Sequence, residues 1–482
     1  MAIIRVGYSK STVSGISPEE AAKVIKELTY TDKSVSYQIR QAQRAARRAY
    51  GGGADYFAMR IAQLQAQQHV ALASMDGDSL VFPTGLLDRV REKLQAPMVE
   101  DIRVRPRQGP GFRMEQAPPE MRYYQTRQFE RCLAAGQGTI ESATGTGKTV
   151  VIMKLLQRLG LKSLLVVPNT SILKQTVRRF EMFFGPARVS QYGDGKKKIR
   201  DITIACAPSI LNSTPKDWDD RQVLIFDECH HLPCATVSQI CYDFVPNAFY
   251  RFGFTATPFR ADGADLAIEA ATFPVIDTYT VQEGIRDGFL ATPRFMLYRI
   301  TTSSTAAPAN LIKSFQEHVI RNDYLNKLVV AQAKAVLKAG KQVLILVKER
   351  EHGHELQSRI EGSVFVRAKE KAQEEGAPWV DPSEAVRDFN AGKIRCLIGT
   401  SVIGEGTDIL PVDVLMLLAG GASKGLVMQN LGRGLRRVEG RKNEVLVIDY
   451  QIDVPQAQHL KRHGDARKEW FEEIAPVAVV EK

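Results

Sequence analysis

Short, continuous apolar runs rich in β-branched residues recur along the chain with helix-patterned stretches between them: SLLVV (163–167), DITIAC (201–206), QVLIF (222–226), QVLILV (342–347), IRCLIG (394–399), DVLMLL (413–418) and EVLVID (444–449). A strand with one wet face alternates apolar and polar residues, whereas one that is apolar throughout must be covered on both faces. Parallel sheets sandwiched between helices supply that cover, so the pattern predicts an α/β fold. The runs are too many for one comfortable sheet and fall into two groups around DGFLATPR (287–294). A length of 482 residues agrees with several domains rather than one.

The region ahead of these runs differs in character. A strand-like IIRVGY precedes SPEEAAKVIKEL, a helix with Ser17 as N-cap, Pro18 in its first turn and early glutamates. A hairpin is expected around Asp76-Gly77-Asp78, followed by a helix within VFPTGLLDRVREKL. The expected organisation is a small α+β N-terminal domain (1–102), a Pro/Gly-rich linker (103–120), two α/β domains (121–290 and 291–455) and a C-terminal helix (456–482) in which Trp470 and Phe471 pack on the second domain.

An excess of 65 Lys+Arg over 54 Asp+Glu, net +11, favours a polyanionic partner such as nucleic acid. No run approaches the length of a membrane span, and a cytoplasmic location with no membrane partner is expected. Six cysteines fit a reducing compartment. Cys229, His230, His231, Cys234 and Cys241 lie close together, but their spacings match none of the usual paired zinc-ligand patterns.

ESATGTGKTVVIMKLL (141–156) follows strand-like GTIE and opens an apolar-periodic helix, the context a phosphate-binding loop needs. Its backbone amides from Thr144, Gly145, Thr146 and Gly147 would cradle ATP phosphates, Lys148 would reach the β- and γ-phosphates, and Thr149 would ligate Mg²⁺. Ser142 stands where the strict G-x-x-x-x-G-K-[ST] pattern has its first glycine. Downstream, VLIFDECHH (223–231) ends a buried strand in two acids; Asp227 can hold Mg²⁺ and Glu228 can activate the attacking water.

ATGTGKT, DECH, TAT (255–257) and QNLGRGLRR (429–437), in this order, resemble a superfamily 2 helicase, and TATPFR with the following DG resembles its UvsW/XPB-like branch. The resemblance implies two RecA-like domains in tandem, ATP hydrolysed in the cleft between them, and movement along DNA. It also assigns roles. Arg122 and Gln125 of RYYQ would recognise adenine, the glutamine amide pairing donor and acceptor with the base edge. Thr170, Ser171, Ser209 and Thr400 would track the nucleic-acid strand, His230, Thr255 and Thr257 would couple hydrolysis to it, and Gly406 and Asp408 would face the nucleotide. Gln429, Gly432, Arg433 and Arg436 match Q-x-x-G-R-x-x-R, whose arginines would neutralise γ-phosphoryl charge; a continuous helix would put all four on one face. Arg437 would sit beside that face, toward DNA or solvent.

In SVSYQIRQAQRAARRAYGGG (34–53), Arg40, Arg44, Arg47 and Arg48 recur at helical spacing beside Tyr37 and Tyr50, a stripe suited to phosphates of any sequence. VFPTGLLDRV (81–90) is similar to the N-terminal domain of phage recombination helicases, which implies single-stranded, forked or junction DNA as partner. The expected function is an ATP-dependent DNA helicase or branch-migration translocase; an RNA unwindase and an ATP-gated, non-unwinding motor subunit are the alternatives. The oligomeric state is left open, a monomer included.

Overall fold

In the computed structural model every one of the apolar runs forms all or most of a strand; the described residues are 2–47, 53–232, 234–256, 265–304, 308, 310–367, 379–400, 409, 412–421, 423–437 and 443–482. Two compact units divide the chain, Met1–Ser142 with Gly147–Tyr279, and Ala143–Thr146 with Thr280–Lys482.

The first unit is built on an eight-stranded sheet in the order Lys196–Lys197, Val189–Gly193, Ile202–Cys206, Ser163–Val167, Val223–Asp227, Tyr250–Thr255, Gln137–Ser142, Val275–Tyr279. All pairings are parallel except that of the short Lys196–Lys197 edge. Side chains on a strand alternate between faces, and here both faces are dry. Leu165, Val167 and Ile225 join the core beneath the helices Lys148–Leu159 and Thr170–Phe184, whereas Leu164, Val166, Leu224 and Phe226 fill the opposite core with Trp218 and Ile240. The unbroken hydrophobic runs are the sequence record of that double burial.

The second unit repeats the plan with seven parallel strands, ordered Ser363–Val366, Cys396–Gly399, Val343–Val347, Val414–Leu418, Glu444–Ile452, Thr292–Ile300, Val477–Glu481. Val343, Ile345 and Val347 face one core, Leu344 and Leu346 the other. The chain's end departs from the expected single helix over 456–482: a helix does run Gln458–Glu472, with Phe471 stacked on Phe295 at 4.6 Å, but Val477–Glu481 returns as a parallel edge strand on Thr292–Ile300. An edge strand needs little burial, which is why its short run carries no strong pattern.

The N-terminal five-stranded sheet runs in the order Ser74–Asp76, Ser79–Pro83, Lys10–Ser14, Ile3–Val6, Met98–Asp101, and Gly77-Asp78 forms its two-residue turn, with Gly77 at φ +57. Ser17 caps the helix Pro18–Glu27 in a reciprocal pair with Glu20: its Oγ accepts from the Glu20 amide at 3.3 Å while the Glu20 carboxylate accepts from the Ser17 amide at 3.0 Å. This domain is fastened to the eight-stranded sheet. Arg89 makes a bidentate pair with Glu269 at 2.9 and 2.7 Å, and the fully buried Arg251 donates to Ser9 Oγ at 2.7 Å. A Cβ on Gly85 would lie 2.4 Å from the Glu269 carbonyl, so the backbones touch where only glycine fits. The stretch 103–120 forms no helix or strand; Gly109, Phe112 and Glu115 donate backbone hydrogen bonds to Leu159, Gln157 and Phe183, strapping it along the sheet's helices.

Candidate functional site

The strand Gln137–Ser142 ends in a turn through Thr144 and Gly145, and the helix Lys148–Leu159 starts immediately after Gly147. Gly145 at φ +86 and Gly147 at φ +84 occupy the left-handed region, the geometry that turns successive amides toward an anion. Thr146 Oγ1 donates to the Ala143 carbonyl at 2.6 Å and tightens the turn. Lys148 is 8% exposed; its ammonium donates to the Ser142 carbonyl at 3.0 Å and stands 3.2 Å from Glu228 Oε1. Thr149 is half-buried in the helix's first turn.

Gln125 is clasped at both ends of its amide: Oε1 accepts from the Arg122 backbone amide at 2.9 Å and Nε2 donates to the Gly147 carbonyl at 3.4 Å. Its helix, Tyr123–Ala135, is pinned by groups the motif search did not single out. Arg127 forks onto the buried Asp277 at 2.8 and 2.9 Å, Arg131 adds a contact at 3.2 Å, and Tyr124 stacks on Tyr279 at 3.7 Å. A solvated arginine and a buried partner of one look alike in sequence, so nothing there separated Arg127 from its neighbours.

Asp227 closes the strand Val223–Asp227 and Glu228 follows at φ +49, an uncommon value for a residue with a Cβ and one held only where surroundings enforce it. Burial, and after it the charge of Glu228, push the Asp227 carboxyl well above the ordinary range against the pull of Lys148. Burial acts on Glu228 in the same sense, but the Lys148 ammonium, then His230 and His231, outweigh it and hold that carboxyl below its usual value. Two adjacent acids are thereby driven apart, one inclined to keep a proton and one to give it up. His230 Nδ1 lies 2.7 Å from Thr255 Oγ1 and 3.6 Å from Glu228 Oε2, linking the acidic turn to the end of the neighbouring strand. The Cys229 and Cys241 thiols are buried in the apolar core, and burial pushes Cys229 up to about 12.

In the second unit, Gln429 and Arg433 are buried on the helix Lys424–Gly434, where Arg433 Nη1 donates to Asn430 Oδ1 at 2.7 Å. The expectation of one continuous helical face is corrected here. The helix ends at Gly434 and Arg436 lies beyond it, bridged antiparallel to Leu290, so Arg436 is not on the face of Gln429, Gly432 and Arg433. Glycines at 432 and 434 weaken the last turn, and the bridge to Leu290 takes over the backbone. Arg437 Nη1 donates to the Gly288 carbonyl.

Two family models match in succession: "Type III restriction enzyme, res subunit" over residues 118–260 and "Helicase conserved C-terminal domain" over 322–438. The first covers the phosphate loop and acidic turn, the second the arginine helix. The chain belongs to the superfamily 2 helicases. It is 25% identical over 364 residues to the DNA 3'-5' translocase XPB2 of Sulfurisphaera tokodaii, across 68% of this chain and 81% of that protein. It is 24% identical to the DNA 3'-5' helicase XPB of Mycobacterium tuberculosis, across 66% of this chain and 58% of the relative. Among solved structures, the DUF1998 helicase MrfA bound to DNA shares the fold at TM-score 0.53 and 15% identity, covering 76% of this chain and 50% of that one.

As a superfamily 2 helicase the protein is an ATP-driven enzyme with tandem RecA-like sheets. The residues present suit ATP with its Mg²⁺: a left-handed glycine pair at a helix start, a buried ammonium, and a carboxylate whose second oxygen, Glu228 Oε2, is buried with no hydrogen-bond partner among the described residues. The structure also locates other positions that the helicase resemblance implies. Thr170 and Ser171 are exposed at the start of the helix Thr170–Phe184, Ser209 is half-buried in the short helix Ala207–Leu211, and Thr400 is half-buried just after the strand Cys396–Gly399. Arg40, Arg44 and Arg47 are all exposed, at the helix Lys33–Ala46 and its C-cap. Arg48, Tyr50, Thr257, Gly406 and Asp408 lie outside the described residues. No helix among the described residues is long and apolar enough to cross a membrane.

Proposed function

We propose that this protein is a DNA helicase or translocase that unwinds or branch-migrates forked and junction DNA at the expense of Mg²⁺-ATP. The observation that carries the reading is the Lys148–Glu228 pair at 3.2 Å, a cation at a helix start and a base just past a strand end brought together beside a glycine turn. The choice of DNA is supported by the printed activities of the XPB relatives. The preference for branched DNA is supported by the resemblance of the N-terminal stretch 81–90 to phage recombination helicases and by the exposed arginines of the helix Lys33–Ala46.

Lys148 leaves Glu228 for the β- and γ-phosphates when ATP enters, and the loop amides from Thr144 to Gly147 receive the remaining phosphate charge. Thr149 and Asp227 would hold the Mg²⁺, which when bound neutralises charge on the phosphate oxygens. Asp227, whose carboxyl burial pushes up in the free protein, would serve there as the carboxylate, its proton released to solvent. Glu228, kept ionised, accepts the proton of the attacking water; the helicase resemblance assigns Gln429, Arg433 and Arg436 to the same chemistry, the two arginines to the charge spreading over the γ-phosphoryl oxygens. Arg122 and Gln125 bind the adenine. His230, bonded to Thr255, passes the change at the acidic turn to the neighbouring strand end.

ATP hydrolysis and product strands measured with single-stranded, duplex, forked and four-way DNA, and with an RNA duplex, test this reading. Forked or four-way DNA is expected to stimulate turnover most and to yield separated strands, and Glu228→Gln is expected to bind ATP without turning it over. Stimulation by RNA alone, or hydrolysis without strand movement on any DNA, would replace the proposal with an RNA unwindase or a passive clamp respectively.

A further inference from the structure

The helices Lys33–Ala46 and Gly53–Gln68 leave and re-enter the N-terminal domain through the antiparallel strands Thr29–Thr31 and His69–Ala71, and they pack together as a two-helix arm. Its core is small: Ile39, Ala42 and Leu64, with Val35 and Ile61 against them. At about 100° per residue, Tyr37, Arg40, Arg44 and Arg47 fall in one stripe on the side opposite Ile39 and Ala42. On the second helix, Tyr56, Met59 and Gln63 turn away from Phe57, Ile61 and Leu64. Tyr56 is 64% and Met59 67% exposed, the half-buried Phe57 meeting the Tyr56 ring edge-on at 5.4 Å. Asp55 is the one acid in these two helices, against Lys33, Arg40, Arg44 and Arg60 within them and Arg47 at the first one's cap.

The two outer faces therefore differ in chemistry. Guanidinium groups at Arg40, Arg44 and Arg47, spaced along about two turns, answer a row of phosphates. A large exposed aromatic ring and a thioether among glutamine amides offer little to a phosphate but a flat, polarisable surface to a base. In a duplex the bases are stacked inside, so such a surface can serve only bases that are unpaired. We propose that the arm divides DNA at a branch point, its arginine stripe gripping duplex phosphates while Tyr56 and Met59 stack unpaired bases of the departing strand. The proposal rests on the DNA reading above and adds a single-strand site to it.

Binding of the full chain to a dT oligonucleotide and to a blunt duplex, measured by fluorescence anisotropy without nucleotide, tests it. Tyr56→Ala with Met59→Ala is expected to weaken single-strand binding about tenfold, to leave duplex binding and basal ATPase unchanged, and to leave the melting temperature in place because both side chains are exposed. Tyr56→Phe keeps the ring and should bind as wild type. Arg40→Glu with Arg44→Glu should instead weaken duplex binding and reduce its log–log salt slope by about 2. Wild-type single-strand affinity in the alanine pair, or an equal loss on duplex, would overturn the proposal. Because no ATP is present, failure of the helicase reading shows separately, as hydrolysis that no DNA stimulates.

Discussion

Replacing Lys148 by methionine should do more to the free protein than remove a phosphate ligand. At 3.2 Å, with side chains only 8% and 17% exposed, Lys148 and Glu228 attract one another by about 5 kcal/mol at an effective dielectric near 20. Loss of the cation strands Glu228 beside Asp227, a situation that commonly costs about 3–5 kcal/mol when both charges stay. Glu228 can escape by taking a proton, which makes the penalty depend on pH. In the wild type its carboxyl is held below 4.5, so its contribution to stability is present above that value and fades as pH falls. In Lys148→Met the carboxyl should rise above 4.5, reversing the sign: the variant loses stability as pH rises through the new value, by at most about 1.4 kcal/mol per pH unit. At pH 8 we expect a deficit of about 3 kcal/mol, shrinking as the pH falls through the raised carboxyl value. Lys148→Met with Glu228→Gln should recover most of it. The assay is urea unfolding of the four proteins of this double-mutant cycle, followed on the transition of the ATP-binding unit. Equal destabilisation of the single and double variants at every pH would refute the coupling.

Two further outcomes follow from buried groups elsewhere. Burial pushes the His352 imidazole from 6.5 down to about 4, so the unfolded chain takes a proton that the folded one refuses; stability should fall as pH drops from 6.5, by about 2 kcal/mol at pH 5, and His352→Asn should flatten that slope in urea titrations. Gly147→Ala puts a Cβ on a backbone at φ +84 and 2.6 Å from Gln125 Nε2, so it should weaken ATP binding at least about tenfold by calorimetry through displacement of the amide that Gly147 holds.

The sheets were readable because their strands are buried on both faces, and double burial leaves a local signature in five or six residues. The same reasoning passed over Thr292–Ile300, whose TPRFMLYRI mixes charge with apolar groups because several of its side chains are exposed or half-buried. It also passed over Gly53–Gln68, where Leu64 is the one fully buried side chain among those described, too little to set up a periodic stripe. At the site, residues that would touch phosphate directly stood out, since few side chains can do that work. Residues that hold them in place did not. Asp277 and Tyr279 lie far along the chain from Arg127 and Tyr124, and only the sheet brings them together. The end of the arginine helix depended on a bridge to Leu290 that no window around 429–437 contains.

Arg251 within the core, Arg89 on Glu269 and the glycine contact at position 85 fasten the N-terminal domain to the ATP-binding sheet at three points. Whatever its arm holds is carried in the reference frame of the ATP-binding sheet, like a tool bolted to a chassis rather than tethered to it. Strain that nucleotide chemistry imposes on that sheet would then reach whatever the arm holds as displacement.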